Sequence, residues 1–204
     1  MKDLVGKWIF AAALLALSVS GCGYNTIQSA DEQVKAAWSE VLNQYQRRAD
    51  LVPNLVETVK AFAKQEMDVL TRVTEARSRV GSIQATPELV DNPEAFQRFQ
   101  QAQGELTSAL SRLLVVAENY PQLKSDANFR DLQAQLEGTE NRISVERMRF
   151  NEVAQTYNTR RQSFPTVIFA NMMGFLPKAY FKAQVGSDVA PKVNFGNPAP
   201  SPAQ

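Results

Sequence analysis

The chain has no histidine and a single cysteine, Cys22. Without an imidazole it lacks the side chain whose ordinary pKa lies near neutrality, and with it the usual general base. Cys/His metal sites, histidine-activated cysteine or serine nucleophiles and any disulfide within the chain are excluded on the same count. There is no P-loop and no G-x-G-x-x-G run to cradle a phosphate. An excess of one charge is missing too. The 22 basic and 21 acidic residues leave a formal net charge of +1, which gives no general attraction to nucleic acid. Composition leaves open a carboxylate-based hydrolase or an oxygen-ligand Mg²⁺ site, but no catalytic, metal or cofactor-binding residue stands out. No cofactor is expected.

Long apolar runs are scarce. Trp8–Val19, 12 residues, follows Lys2 and Lys7 and is closed by Ser20-Gly21-Cys22. It fits the apolar part of a secretory signal and falls short of the roughly 20 residues that span a bilayer. Val19-Ser20-Gly21-Cys22 resembles a lipobox, so residues 1–22 are expected to be an address, with Cys22 as the lipidated residue. The competing reading is an uncleaved anchor over Trp8–Tyr24, 17 residues. Either way, with Lys2 and Lys7 inside, the body is membrane-anchored and extracytoplasmic, in the cell envelope.

What the sequence does have is one period. Hydrophobic residues make up 44% of the chain, yet mean hydropathy is −0.29, as expected for apolar stripes on solvated helices. A three-four spacing links Val34, Trp38, Val41, Tyr45, Val52, Leu55, Val59, Phe62, Val69, Val73, Ala76 and Val80, interrupted by Arg48 and Glu66. A second stripe runs from Phe96 to Tyr120. A third runs through Phe129, Leu136, Thr139, Ile143, Glu146, Phe150, Tyr157 and Arg160 to Phe164. This predicts an all-α, elongated antiparallel helical bundle or coiled coil of three long helices. Ser29 with Glu32 predicts a capping box, Gly81 a stop, Asn92-Pro93 a start, Ser125 a cap and Pro165 an end. The short link at 121–124 predicts that the second and third helices are antiparallel neighbours, and a turn of helix is expected from Pro87. Residues 166–183, broken by Gly174 and Pro177, are expected to cap one end in short helical pieces. The helical body is thus 23–184, followed by a disordered tail over 185–204.

Several blocks then resemble the LemA family. They are Tyr24-Asn25, Arg47-Arg48-Ala49-Asp50-Leu51-Val52-Pro53-Asn54-Leu55-Val56-Glu57-Thr58-Val59, Ala117-Glu118-Asn119-Tyr120-Pro121-Gln122-Leu123-Lys124, Thr139-Glu140-Asn141-Arg142-Ile143, Tyr157-Asn158, Gly174-Phe175 and Tyr180-Phe181. They lie in order over most of residues 24–182, with Lys182 standing where an acidic residue is expected. The resemblance implies a membrane-anchored helical bundle and carries no catalytic or cofactor residues.

Two readings stand for Arg47, Arg48, Asp50 and Pro53: a hinge with a charged interaction surface, or a tolerated proline kink with solvated charges, the carbonyl of Ala49 being freed in both. Arg48, Glu66, Glu146 and Arg160 interrupt stripes, so each should be paired or sit at an exposed end. Glu118 and Glu140 are read as structural rather than catalytic. The aromatics near Lys178 and Lys182 either cap the core or touch lipid or a partner. If Ser29–Val80 is one helix of about 78 Å beside a second of about 42 Å, Val34, Trp38, Val41 and Tyr45 lack a partner. That predicts a homo-oligomer built on this stripe, unless residues 166–183 fold back over it. The expected function is a membrane-anchored helical scaffold or interaction protein with an unidentified protein partner and no catalytic activity. The alternatives are a membrane-shaping module that assembles on the bilayer and a carboxylate-based enzyme.

Overall fold

A computed structural model describes the backbone of residues 2–182 and the side chains of residues 25–182. The expected lipidation of Cys22 and the expected disorder of 185–204 lie outside the described residues. Six helices follow one another: α1 (Lys2–Phe62), α2 (Met67–Gly81), α3 (Pro93–Ala117), α4 (Pro121–Ser125), α5 (Ala127–Gln162) and α6 (Thr166–Met172), with a 3-10 turn at Pro87–Asp91. No strand occurs among the described residues. Among them, too, no helix is long and apolar enough to cross a membrane.

The apolar stripe of α1 is buried from Ile27 through Trp38, Tyr45 and Leu55 to Val59, which explains why the helix holds for its whole length. It differs from the sequence expectation at both ends. Ser29 is exposed inside a continuous helix rather than capping its start. At the other end the helix does not continue to Val80; the chain breaks over residues 63–66 and folds back as α2. No glycine or proline marks this turn. Glu66 takes the cap position, its carbonyl accepting from the amides of Val69 and Leu70, while its carboxylate accepts from the Tyr120 hydroxyl at 3.0 Å. The charge that interrupts the stripe is therefore the corner of a helical hairpin.

From there the chain runs down in α2, up in α3 and down in α5. Arg77 of α2 reaches Ala49 of α1, Trp38 packs on Phe96 and Phe99 of α3, and Arg48 on α1 meets Glu140 on α5. Below α2 the segment 82–92 descends beside α1, and its Thr86 carbonyl accepts from the Trp38 indole N–H at 3.1 Å. Asn92 then caps α3 as expected, accepting from the amides of Glu94 and Ala95. α5 is capped by Asp126 instead of Ser125, because residues 121–125 form the one-turn helix α4. α3 and α5 are antiparallel but are not backbone neighbours: α3 packs on α2, and α5 on α1.

The upper core gathers Val52, Leu55, Val59, Leu106, Leu110, Leu113, Leu123 and Phe129. The lower core is aromatic. Trp38, 0% exposed, lies 5.4–6.1 Å from the ring centroids of Phe96, Phe99, Phe150 and Phe181. Phe181 arrives on an extended strap, residues 173–182, that follows α6. Gly174, at φ +75°, makes the turn that an L side chain would resist, letting the Phe175 amide bond back to Ala170. The Trp38 stripe is thus covered within one chain. Val34, Trp38, Val41 and Tyr45 are buried within the chain and offer no stripe to a second copy, and the length mismatch behind that expectation vanishes once the first helix is folded in two. The third stripe is also shorter than expected. Arg160 and Phe164 are exposed, and Ala154 and Asn158 take the buried face, because a straight helix drifts about 20° per heptad.

Phe150 touches Trp38, Phe96 and Phe181 and is fully buried. Phe150→Ala is expected to lower the unfolding free energy by about 3–5 kcal/mol. Urea titration at an unchanged m-value measures it, and a loss below about 1 kcal/mol would contradict the hub.

Candidate functional site

A cleft of about 1390 Å³ opens over α3, bounded by α2 on one side and by α5 and the strap on the other. It exists because α3 and α5 do not close on each other. Arg48 forms its floor. This side chain occupies a seam position of α1, so the helix carries it inward, where it is 1% exposed. Nη1 donates to Glu140 Oε1 of α5 at 2.5 Å and to Thr107 Oγ1 of α3 at 2.7 Å. Nη2 donates to the side-chain oxygen of Gln103 and, at 3.4 Å, to its carbonyl. The guanidinium also lies 5.2 Å over the Tyr45 ring. One planar cation thereby holds three helices at one height, and the desolvation that a lone buried charge suffers is offset by these acceptors. Burial raises the pKa of the Tyr45 hydroxyl.

Arg47, Arg48, Asp50 and Pro53 are not brought together. Arg48 is buried, whereas Arg47 and Asp50 are exposed, Asp50 accepting from Gln46 at 2.8 Å. Pro53 sits within an unbroken helix. The carbonyl it frees, that of Ala49, accepts from Arg77 Nε of α2 at 3.0 Å, so the missing helical bond is replaced by a tie between helices. Glu146 is half-buried near Arg149, at 4.0 Å, and Glu118 is exposed at the end of α3. Around the rim of the cleft stand Arg72, Arg79, Arg112, Arg147 and Lys182 against Glu75 and Glu105, with Arg79 paired to Glu105 at 3.5 Å.

The lower edge of the cleft is closed by the strap, gripped by two asparagines of α5. Asn158 donates to the Lys178 carbonyl and accepts from its amide, both at 2.9 Å. Asn151 does the same with Phe181, at 2.9 and 2.8 Å. Seven helical residues rise about 10.5 Å, and three extended residues cover about 10 Å, so a spacing of seven on the helix matches a spacing of three on the strap. Tyr157 donates to the Leu176 carbonyl, and Asn158 donates to the Tyr180 hydroxyl.

Lys178 is buried between Asp31 Oδ1, at 2.6 Å, and Asp91 Oδ1, at 2.7 Å, over the Tyr157 ring. Burial alone would raise the Asp31 carboxyl, but the ammonium groups of Lys178 and Lys35 outweigh it and hold the pKa below the ordinary 3.8. Hydrogen bonds to Glu32 and Asp31 raise Lys35, and burial raises the Tyr157 hydroxyl. Sequence reasoning missed this triad. Asp31 and Asp91 sit in no motif, and Lys178 enters the sequence reading only as a neighbour of aromatics expected to cap the core or touch lipid or a partner. The usable signal was the pair of blocks Tyr157-Asn158 and Tyr180-Phe181, which turn out to touch.

Among the described residues no group of three or more Cys, Asp or Glu could hold a metal ion. The model of the LemA family matches residues 37–195. The chain is also similar to Magnetosome protein MamQ 2 of Paramagnetospirillum magneticum and to Magnetosome protein MamQ of Magnetospirillum gryphiswaldense. Each is 26% identical over 181 residues, covering 81% of this chain. The match spans 66% of each relative's own length.

Glu140→Ala leaves the Arg48 charge buried without its counter-ion and is expected to cost about 3 kcal/mol in urea unfolding. The double variant Arg48→Met with Glu140→Leu should recover most of that loss; a double variant less stable than Glu140→Ala would contradict this. The Asp31 pair acts in acid. Because the folded pKa lies below the unfolded value, its contribution is full above about pH 3.8 and is lost as the pH falls through the folded value. Asp31→Asn should therefore flatten the fall in stability between pH 5 and pH 3, roughly one unit either side of the ordinary Asp value. A variant that falls as steeply as wild type would show that the pair is not the cause.

Proposed function

This chain belongs to the LemA family, and from that premise we propose that it is a membrane-anchored, extracytoplasmic scaffold that offers the cleft over α3 to a protein partner. In this reading residues 1–22 supply the anchor, with Lys2 and Lys7 on the cytoplasmic side, and the bundle performs no chemistry of its own. The observation that carries the proposal is the contrast between floor and rim. The floor is locked, because both terminal nitrogens of Arg48 donate to Glu140, Thr107 and Gln103, its buried Nε alone having no hydrogen-bond partner among the described residues. The rim is not, with Arg72, Arg112 and Lys182 exposed around an open groove. A preformed groove with arginines at its edge suits a helix bearing carboxylates, since little ordering is needed on the receiving side. Magnetosome association is a property of the named relatives; their similarity supports only the idea that a bundle of this kind serves at membrane assemblies.

Photo-crosslinking in intact cells tests the reading. A benzophenone amino acid in place of Gln101, exposed in the cleft, should give one discrete protein adduct, and the same group in place of Met148, exposed outside it, should not. Arg72→Glu with Arg112→Glu should abolish the adduct. Equal adducts at both positions, or none at Gln101, would reject the cleft as the partner surface.

A further inference from the structure

Exposed large apolar side chains concentrate at one end of the bundle. Phe164 is 81% exposed, Ile168 55% and Met172 67%, followed by Met173 and Leu176. Ile168 and Met172 are spaced by four and share one face of α6, with exposed Phe164 just before the helix, while Thr166 and Ala170, on the opposite face, are buried as α6 packs on α1 and α5. A face this apolar on a helix whose other side already serves the core calls for a second environment.

The register of the bundle says where that face stands. Trp38 on α1 meets Phe150 on α5, and ten residues further along each helix Arg48 meets Glu140. Carried down the same antiparallel register, Gln162, the last residue of α5, comes level with residue 26, two residues above the point where α1 leaves its apolar amino-terminal run. We propose that the outer face of α6 lies in the headgroup layer of the membrane that holds the amino terminus, so that the bundle is seated on the bilayer at two points. This rests on the anchored reading above but not on the type of anchor. If Trp8–Tyr24 crosses uncleaved, the helix emerges from hydrocarbon at residue 24. If Cys22 is lipidated, its acyl chains start two residues away, about 3 Å along the helix. The headgroup layer is about 5–7 Å deep on each side, so the lower end of α5, about 3 Å above residue 24 and about 6 Å above Cys22 along the helix, falls within it in both cases, with α6 following. Arg160, exposed two residues before the end of α5, then stands at the height of the lipid phosphates.

The test uses the full chain in vesicles of phosphatidylcholine and phosphatidylglycerol, with a benzophenone amino acid in place of Ile168, of Met172 or of Val115. Val115 is an exposed position near the carboxyl end of α3, beside the upper core. After irradiation, adducts with the mass of a phospholipid are expected at 168 and 172 and not at 115. Adding Ile168→Asp should abolish the lipid adduct at 172 while the chain still floats with the vesicles. A floating chain without lipid adducts at 168 and 172, or with a second copy crosslinked there instead, would overturn the proposal and leave the anchor standing. A chain that does not float would overturn both.

Discussion

Trp38 can be removed from water only by residues that are far apart in the chain. Phe96 and Phe99 come from α3, Phe150 from α5, Phe181 from the strap, and the carbonyl that takes its indole N–H from the descending segment at Thr86. Each large side chain contributes about 1.5–3 kcal/mol on burial, so the hub is a substantial part of what holds the lower bundle together. It also constrains the geometry. The rings meet tilted or edge-on, with Phe96 and Phe150 stacked, at 4.9–6.1 Å, which fixes how near α1, α3 and α5 lie at this level. With α2 wedged beside α3 above, the helices cannot also close on each other along their whole length. The cleft is the remainder.

The charged residues inside the bundle set position. Arg48 holds one height across three helices, Arg77 occupies the carbonyl that Pro53 frees, and Lys178 draws the strap onto two carboxylates. Each is a long cation carried by one element and satisfied by another, and a slip of one residue in either would separate the pair. Hydrophobic stripes alone tolerate such slips, since Val, Leu and Ile repeat along every helix. The polar ties make one arrangement lower than its neighbours.

Much of this was legible from spacing. The helical class, the start at Asn92-Pro93, the stop at Gly81 and the turn at Pro87 all follow from residues whose backbone or capping preferences are local. The corner at residues 63–66 was not, because Ala63-Lys64-Gln65-Glu66 contains no breaker and Val69 resumes the stripe in phase with Val59. Only Glu66 on the seam signalled it, and a seam charge reads equally as a register device. The misread corner led directly to the mistaken interface at Trp38, through a helix length that does not occur. The floor of the cleft was half visible. Arg48 was singled out and Glu140 noted, but their pairing is a distance between helices, and no periodicity within one segment encodes it. The triad at Lys178 was the least legible, since its two carboxylates lie 60 residues apart in the chain.

The strap gives the molecule a direction in time. Trp38 lies on the first helix to leave the ribosome or enter a translocation channel, whereas Phe181 comes more than a hundred residues later. Until that residue arrives, one wall of the aromatic cage is open and the asparagines of α5 have no backbone to grip. A nascent bundle is therefore an incomplete one, with its tryptophan accessible and its lower half loose. Any protease or chaperone that surveys exposed aromatic surface meets an unfinished chain up to that point and a closed one after it.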